Sequence, residues 1–421
     1  MTYLKKLSNI RCISITICLL LSLSCSEKET DNDENIVDTT QSACNPASAN
    51  NAPSSSWFKS YNGSGEESHG HFILSCSDGG YLQVGETGFI PNSKIFVVKV
   101  NQNGELLWTQ EIGQSGNNMG NAAIETNDAY IIVGALNQNS SFIKLNKSSG
   151  EVLDLESHDI GGADAFEDII MYQDGFLAVG YNFAQDDQNT FFTEGQASMS
   201  ILDADGALIN TISLNKPMTQ AYRITEMDDE YIISGLSEDA EDFALLKVDA
   251  SLNIIWYNTY GGVDSDHNFG MDIDNEGSIF LTGHTLSNTE NWDTYTMKIN
   301  PSGQKLWEVK IGNPRGFDPN FIHDETWDIK TTPDGGCIIV AGSGDEYENY
   351  ASFCDENNTT SNQWVVYLIK FNAIGDIEWQ TTYANPEGGD WAGEAITLSN
   401  DGGALVALDN GSFGFLKVNP F

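Results

Sequence analysis

The chain has 421 residues, with 61 acidic against 19 basic side chains and a formal charge of −42. Such an excess excludes nucleic acid and bare anionic membrane as partners, because both need clustered Lys and Arg. At 40% hydrophobic residues a sizeable core is within reach, and 40 Gly against 10 Pro suit many short strands joined by tight turns.

The first element is a leader. Lys5, Lys6 and Arg11 precede an apolar run from Ile13 to Leu23, then Ser24 and Cys25. That order is a secretory signal, and the run is too short for a membrane span. The junction at Cys25 resembles the lipobox of bacterial lipoproteins, with Ser22 where Leu is usual and Leu21 and Leu23 beside it. The resemblance implies a signal peptide over residues 1–24, lipidation of Cys25 and membrane contact through that anchor alone. The stretch "SEKETDNDENIVD" after Cys25 resembles the acidic tag of surface-exported Gram-negative lipoproteins. It implies an outer-membrane protein facing the cell exterior, with outer-membrane proteins as neighbours; without that export the chain would face the periplasm. Residues 25–56 are polar and poor in aromatics, which reads as a disordered tether. Cys44, Cys76, Cys337 and Cys354 leave room for one or two disulfides in an oxidising compartment. No C-x-x-C pair or full Ca²⁺ loop is present, so neither a metal nor a cofactor is expected.

From residue 57 onward the chain repeats itself. A strand ending in Lys, an apolar residue and Asn or Asp recurs at Lys99, Lys144, Lys247, Lys298, Lys370 and Lys417, and Ile201-Leu202-Asp203 is a copy without the Lys. Before each stands an apolar strand, ending in Gly at Gly85, Gly134, Gly180, Gly235 and Gly283, with looser copies at "CIIVAG" and "ALVAL". After each comes a strand that holds Trp at Trp108, Trp256, Trp307 and Trp379. A weaker strand opens every unit. Units of four strands, seven in number and each roughly 45 to 70 residues long, predict an all-β fold, a seven-bladed β-propeller over residues 57–421. The last unit stops after its third strand, and "SSWFKSYNG" at 55–63 supplies the fourth, which closes the ring and protects its edges. The repeat resembles quinoprotein-type and WD-like propeller repeats, in which Asp, Gly and Trp of one hairpin dock neighbouring blades. "LNKSSGEVLD" and "VNQNGELLW" each keep one of the two spacings. The resemblance implies shape and no cofactor, for no quinone signature is present.

Function is expected where the long loops gather. Insertions at 181–198, 284–294, 312–325 and 343–364 fall on the one face shared by the loops from fourth to first and from second to third strand. The scarce cations map there too: Arg223, Arg315, His69, His71, His267, His284 and His323, but not His158. So do Trp292, Trp327, Trp391, Tyr222, Phe191, Phe192, Tyr347 and Tyr350. Aromatic faces stack on sugar rings while polar neighbours read hydroxyls. The first expectation is therefore a protein that binds or helps process extracellular carbohydrate, anionic carbohydrate included, with Arg223, Arg315, Trp292, His69 and His71 as binding residues. The second is a lyase or dehydratase that eliminates across uronic-acid sugars, with His267, His284, His323 and Tyr222 supplying acid–base groups beside a cation. Some polysaccharide lyases are propellers with such residues at the mouth. The third is an interaction or adhesion scaffold without a pocket.

Overall fold

The computed structural model describes residues 45–49, 51–89, 91–184, 195–214, 217–239, 241–347, 350–354 and 359–421. The expected leader, Cys25, Cys44, most of the tether, Phe191 and Phe192 lie outside them.

The described strands form seven antiparallel sheets of four, plus a two-stranded ribbon, Phe353–Cys354 with Thr359–Thr360, inserted in the sixth. The first strands of the sheets are Ser68–Ser75, Asn118–Glu125, Ala163–Tyr172, Met218–Met227, Asp266–Ile273, Ile322–Thr331 and Ala392–Leu398. Each packs against the next, and the last packs against the first, so the chain is a closed seven-bladed β-propeller with these strands as its inner wall. Closure follows expectation: Ser55–Tyr61 pairs antiparallel with Phe413–Val418 as the fourth strand of the seventh blade. The core is accordingly divided into slabs between blades, such as Leu82, Val84, Tyr130 and Ile132 between the first two.

The repeated hairpin has a physical reason at each position. Asn101 Oδ1 accepts the backbone N–H of Asn103 and Glu105, and Asp249, Asn300 and Asn372 repeat the pattern. Gly104, Gly303 and Gly375 close these turns at φ of 76°, 82° and 89°. In several blades the Trp of the preceding blade lies against such a glycine: a Cβ on Gly104 would stand 2.5 Å from the Trp57 ring, one on Gly150 would stand 2.4 Å from Trp108, and one on Gly375 would stand 2.8 Å from Trp307. Trp108 Nε1 also donates to Lys147 O at 3.1 Å and Trp307 Nε1 to Ala373 O at 3.2 Å. The recurring Lys is structural as well. The buried Lys99, Lys370 and Lys417 ammonium groups reach Asp78, Asp334 and Asp401 in the turn between the first two strands of the same blade. Tyr260 Oη donates to Gly303 O at 2.7 Å, and Tyr383 Oη donates to Pro53 O at 2.6 Å, so the incoming chain stands where a turn stands in other blades.

Cys76 and Cys337 are free and buried in separate core slabs, which removes both from any disulfide.

Candidate functional site

The inner wall carries a feature that the repeat pattern did not disclose. All seven first strands contain a β-bulge at the same place, and the extra residues are His71, Asn121, Glu167, Tyr222, Phe269, Trp327 and Glu394. A bulge leaves one residue outside the ladder and re-aims its side chain. The repeated glycine of the second strand is its counterpart. In five blades it pairs with the residue just before the bulge. A Cβ on Gly85, Gly134, Gly180, Gly235 or Gly283 would come within 1.8 to 2.0 Å of a carbonyl oxygen of the bulged strand. In these five blades the glycine makes room for the bulge, and across all seven blades the bulge positions hold side chains of six types.

The ring has two characters. On the fourth to sixth blades it is aromatic. Tyr222 lies 5.2 Å from Phe269, Phe269 lies 4.6 Å from Trp327 and 5.1 Å from His284, and His284 lies 4.8 Å from Trp292 and 5.6 Å from His267. His267 and Trp292 are 5.0 Å apart. A second aromatic group lies in the insertion loops, where Phe321 stacks on Tyr350 at 3.9 Å and meets Tyr347 at 5.2 Å. Burial holds His267 below its ordinary value. Burial, then the charges of His267 and His323, hold His284 far lower, so both imidazoles are neutral at neutral pH. His284 is 5% exposed, has a backbone hydrogen bond at Thr326, and leaves Nδ1 without a partner among the described residues.

On the seventh, first and third blades the ring is carboxylic. Burial raises Glu167 to about 7 against the pull of Arg223 and His71. Burial and then Asp409 push Glu394 well above the carboxylate range. The charge of Glu167 on the third blade also raises His71 of the first. His71 Nε2 lies 2.6 Å from Glu86 and His69 Nδ1 lies 3.0 Å from Asp409. Burial opposes the charge on both rings, but these carboxylates raise their pKa values overall.

The structure therefore brings His267, His284, Trp292 and Tyr222 together, and it sets His69, His71 and Arg223 in a second group. All five histidines expected at the mouth stand on strands rather than in loops. The cations of the second group face carboxylates, which leaves them poorly suited to capture a sugar carboxylate or sulfate. Arg223 Nη1 donates to Tyr222 O at 2.9 Å and its charge falls on Glu167 and Asp168. Arg315 is 8% exposed and gives its guanidinium to the backbone carbonyls of Thr360, Gln363, Ser343 and Ser361. It clasps the sixth-blade insertion, where a ligand role had been expected. Tyr222 donates to Gln220, and burial followed by Glu167 raises its phenol well above 10. Trp391 is core, 4.4 Å from Phe58. His323, Glu325 and Glu346 have ligand atoms within 4.8 Å of one another, so three groups able to hold a cation do converge at the rim. Glu167, Glu394, Asn121, Phe269 and Glu346 were missed in the sequence; for Glu167, Asn121 and Phe269 the signal was the glycine across from the bulge.

The opposite face has a separate groove of ≈ 690 Å³ lined by Glu125, Asp128, Asp174 and Lys147, remote from these residues.

Known proteins bear on the fold. No family model and no curated protein matches the chain. Among solved structures, the WD40 domain of Neurospora crassa Pan2 is similar at 12% identity and a TM-score of 0.55, over 84% of this chain and 90% of that one. A catalytically inactive virginiamycin B lyase from Staphylococcus aureus, solved with quinupristin, is similar at 13% identity and a TM-score of 0.54, over 86% and 99%. Likeness at such identities shows the propeller and leaves function to the site.

Proposed function

We propose that the protein is a carbohydrate-binding propeller whose mouth, over the fourth to sixth blades, takes a neutral sugar chain. The observation that carries this reading is an aromatic cluster in which the half-buried Trp327, Trp292 and His267 lie over buried Tyr222, Phe269 and His284, with a second aromatic group of Phe321, Tyr347 and Tyr350 in the insertion loops. Aromatic faces stack on the apolar faces of pyranose rings, and neutral imidazoles both donate to and accept from hydroxyls. Trp292 and Trp327 are half-buried, and Tyr347 is 43% exposed, so both the floor and the rim offer contact area. The lipobox-like leader and the acidic stretch after Cys25 support a lipid anchor at Cys25 and display at the outer membrane, facing the exterior. That part of the reading is tested by labelling with a fatty-acid analogue and by protease access in whole cells.

Elimination on a uronic acid is the less supported alternative. It needs a cation near the carboxylate and a base beside the acidic proton. Here His69, His71 and Arg223 face carboxylates, Arg315 is taken up by backbone carbonyls, and the Tyr222 phenol is held protonated.

The deciding experiment is affinity electrophoresis of the purified protein through gels holding neutral or uronic-acid polysaccharides, with the ultraviolet absorbance of an unsaturated uronate followed in parallel. Retardation by a neutral glycan without absorbance change is the expected result. An absorbance rise with uronates would replace binding by elimination. No retardation in any gel would leave an interaction scaffold.

A further inference from the structure

We propose that His323, Glu325 and Glu346 form a site for one divalent cation of the zinc or manganese type at the rim of the sixth blade. The chain has no linear metal motif; folding assembles the trio. His323 and Glu325 are two residues apart on the strand Ile322–Thr331 and so share one of its faces. Glu346 follows the second strand, Cys337–Asp345, whose Gly344 pairs with His323. One ligand atom from each of the three lies within 4.8 Å of the others, a span that one ion bridges by drawing each side chain inward.

The second observation is what burial leaves unpaired. Glu325 is 7% exposed, yet its Oε2 has no hydrogen-bond partner among the described residues. His323 is 8% exposed, and its Nδ1 stands 3.5 Å from Glu325 Oε1, an ion-pair separation that makes no hydrogen bond. A carboxylate withdrawn from water with an empty lone pair is costly unless a cation meets it. Glu325, Glu346 and Asp324 are the acidic groups that act on His323. The pocket thus carries excess negative charge and one imidazole donor. One imidazole nitrogen with two carboxylates suits Zn²⁺ or Mn²⁺ and suits Ca²⁺ poorly, since Ca²⁺ takes 6–8 oxygens. Three protein ligands leave positions open toward the mouth for water or a hydroxyl-bearing ligand. This inference does not rest on the carbohydrate reading.

The rival occupant is a proton on His323, and the two are separable. The chelator-treated protein is titrated calorimetrically with ZnCl₂, MnCl₂ and CaCl₂ in turn, and CoCl₂ is followed by visible absorption. The expected result is one saturable site for Zn²⁺ or Mn²⁺, weaker binding of Ca²⁺, and affinity lost as pH falls and protons compete for the ligand atoms. His323→Ala, Glu325→Gln and Glu346→Gln each weaken binding by about 10-fold or more and remove the Co²⁺ bands. Asp159→Asn, an exposed acid on another blade, changes nothing. If a strand variant fails to fold, Glu346→Gln decides, because it lies outside the strands. Absence of saturable binding, or binding that persists in His323→Ala and Glu346→Gln, overturns the proposal and leaves the proton as occupant.

Discussion

The outer hairpins and the inner bulges use the same sevenfold backbone in opposite ways. At the hairpin turns, separate copies converge on the same residues: Asn101, Asp249, Asn300 and Asn372 accept the same two backbone N–H groups. At the bulges, one backbone position holds His71, Asn121, Glu167, Tyr222, Phe269, Trp327 and Glu394. Convergence marks positions where geometry permits one answer. Divergence at a fixed geometry marks positions freed from packing, and there the chain has placed an aromatic arc and a carboxylic arc.

The strongest way to break this division is at the hairpin. Trp108 is 8% exposed and joins the first two blades through Tyr130, Lys147 and Gly150. Trp108→Ala is expected to lower unfolding stability by about 3–5 kcal/mol while leaving glycan retardation of the folded fraction unchanged. Denaturant titration with affinity electrophoresis on the same sample checks both. Loss of binding at undiminished stability would contradict the structural role.

Next come the glycines that face the bulges. A Cβ on Gly283 would lie 1.8 Å from His267 O, and one on Gly85 would lie 1.9 Å from His69 O. Both Gly→Ala variants should lose about 1–3 kcal/mol, because the bulge must shift. Only Gly283→Ala should also weaken glycan binding, since Phe269 and His267 move with it. Equal binding losses in the two would mean that the carboxylic arc belongs to the same ligand site.

Trp292→Ala sharpens the comparison further. It removes a half-buried face beside His267 and His284. Binding should fall about 10-fold, with unfolding stability changed by no more than about 0.5–1 kcal/mol. A large stability loss would return Trp292 to the core.

This division also explains what the sequence disclosed. The Lys-apolar-Asn strand, the Trp and the orphan strand at 55–63 were legible because each is repeated for a packing reason. Gly85 and its copies were equally visible but read as strand ends. Their meaning lies in a carbonyl approach between strands, which is a property of register. The bulged residues were invisible as a class because they share a position and no chemistry. Tyr222, Trp292, His267 and His284 were each picked out for the loop face, but nothing in the sequence showed that they pack against one another in one aromatic group. The pairing of His69, His71 and Arg223 with acids was not foreseen, because Glu86, Asp409 and Glu167 come from other strands or other blades.

The smallest effect separates the two regions by the sign of their pH dependence. In the hairpin region burial works against Asp334, yet Lys370 and Thr332 hold it down at about 2, below its unfolded value of 3.8. A depressed carboxylate contributes stability above its unfolded value and loses it as pH falls through the folded one. Asp334→Asn should therefore flatten the acid limb of the stability profile between about pH 4 and pH 2. The effect should be about 1 kcal/mol or less, because Asp334 is half exposed and screened. In the bulge ring the sign reverses. Burial raises Glu167 from 4.5 to about 7, so its contribution is complete below pH 4.5 and is lost as pH rises through 7. Glu167→Gln should remove that loss, so the variant gains on the parent steadily between pH 5 and 8 in paired unfolding titrations. The difference between the two chains cancels the general self-repulsion of an acidic protein, which both share. A parallel pair of profiles would mean that Glu167 sees bulk water, and that the inner ring is wet and open instead of a desolvated wall around the axis.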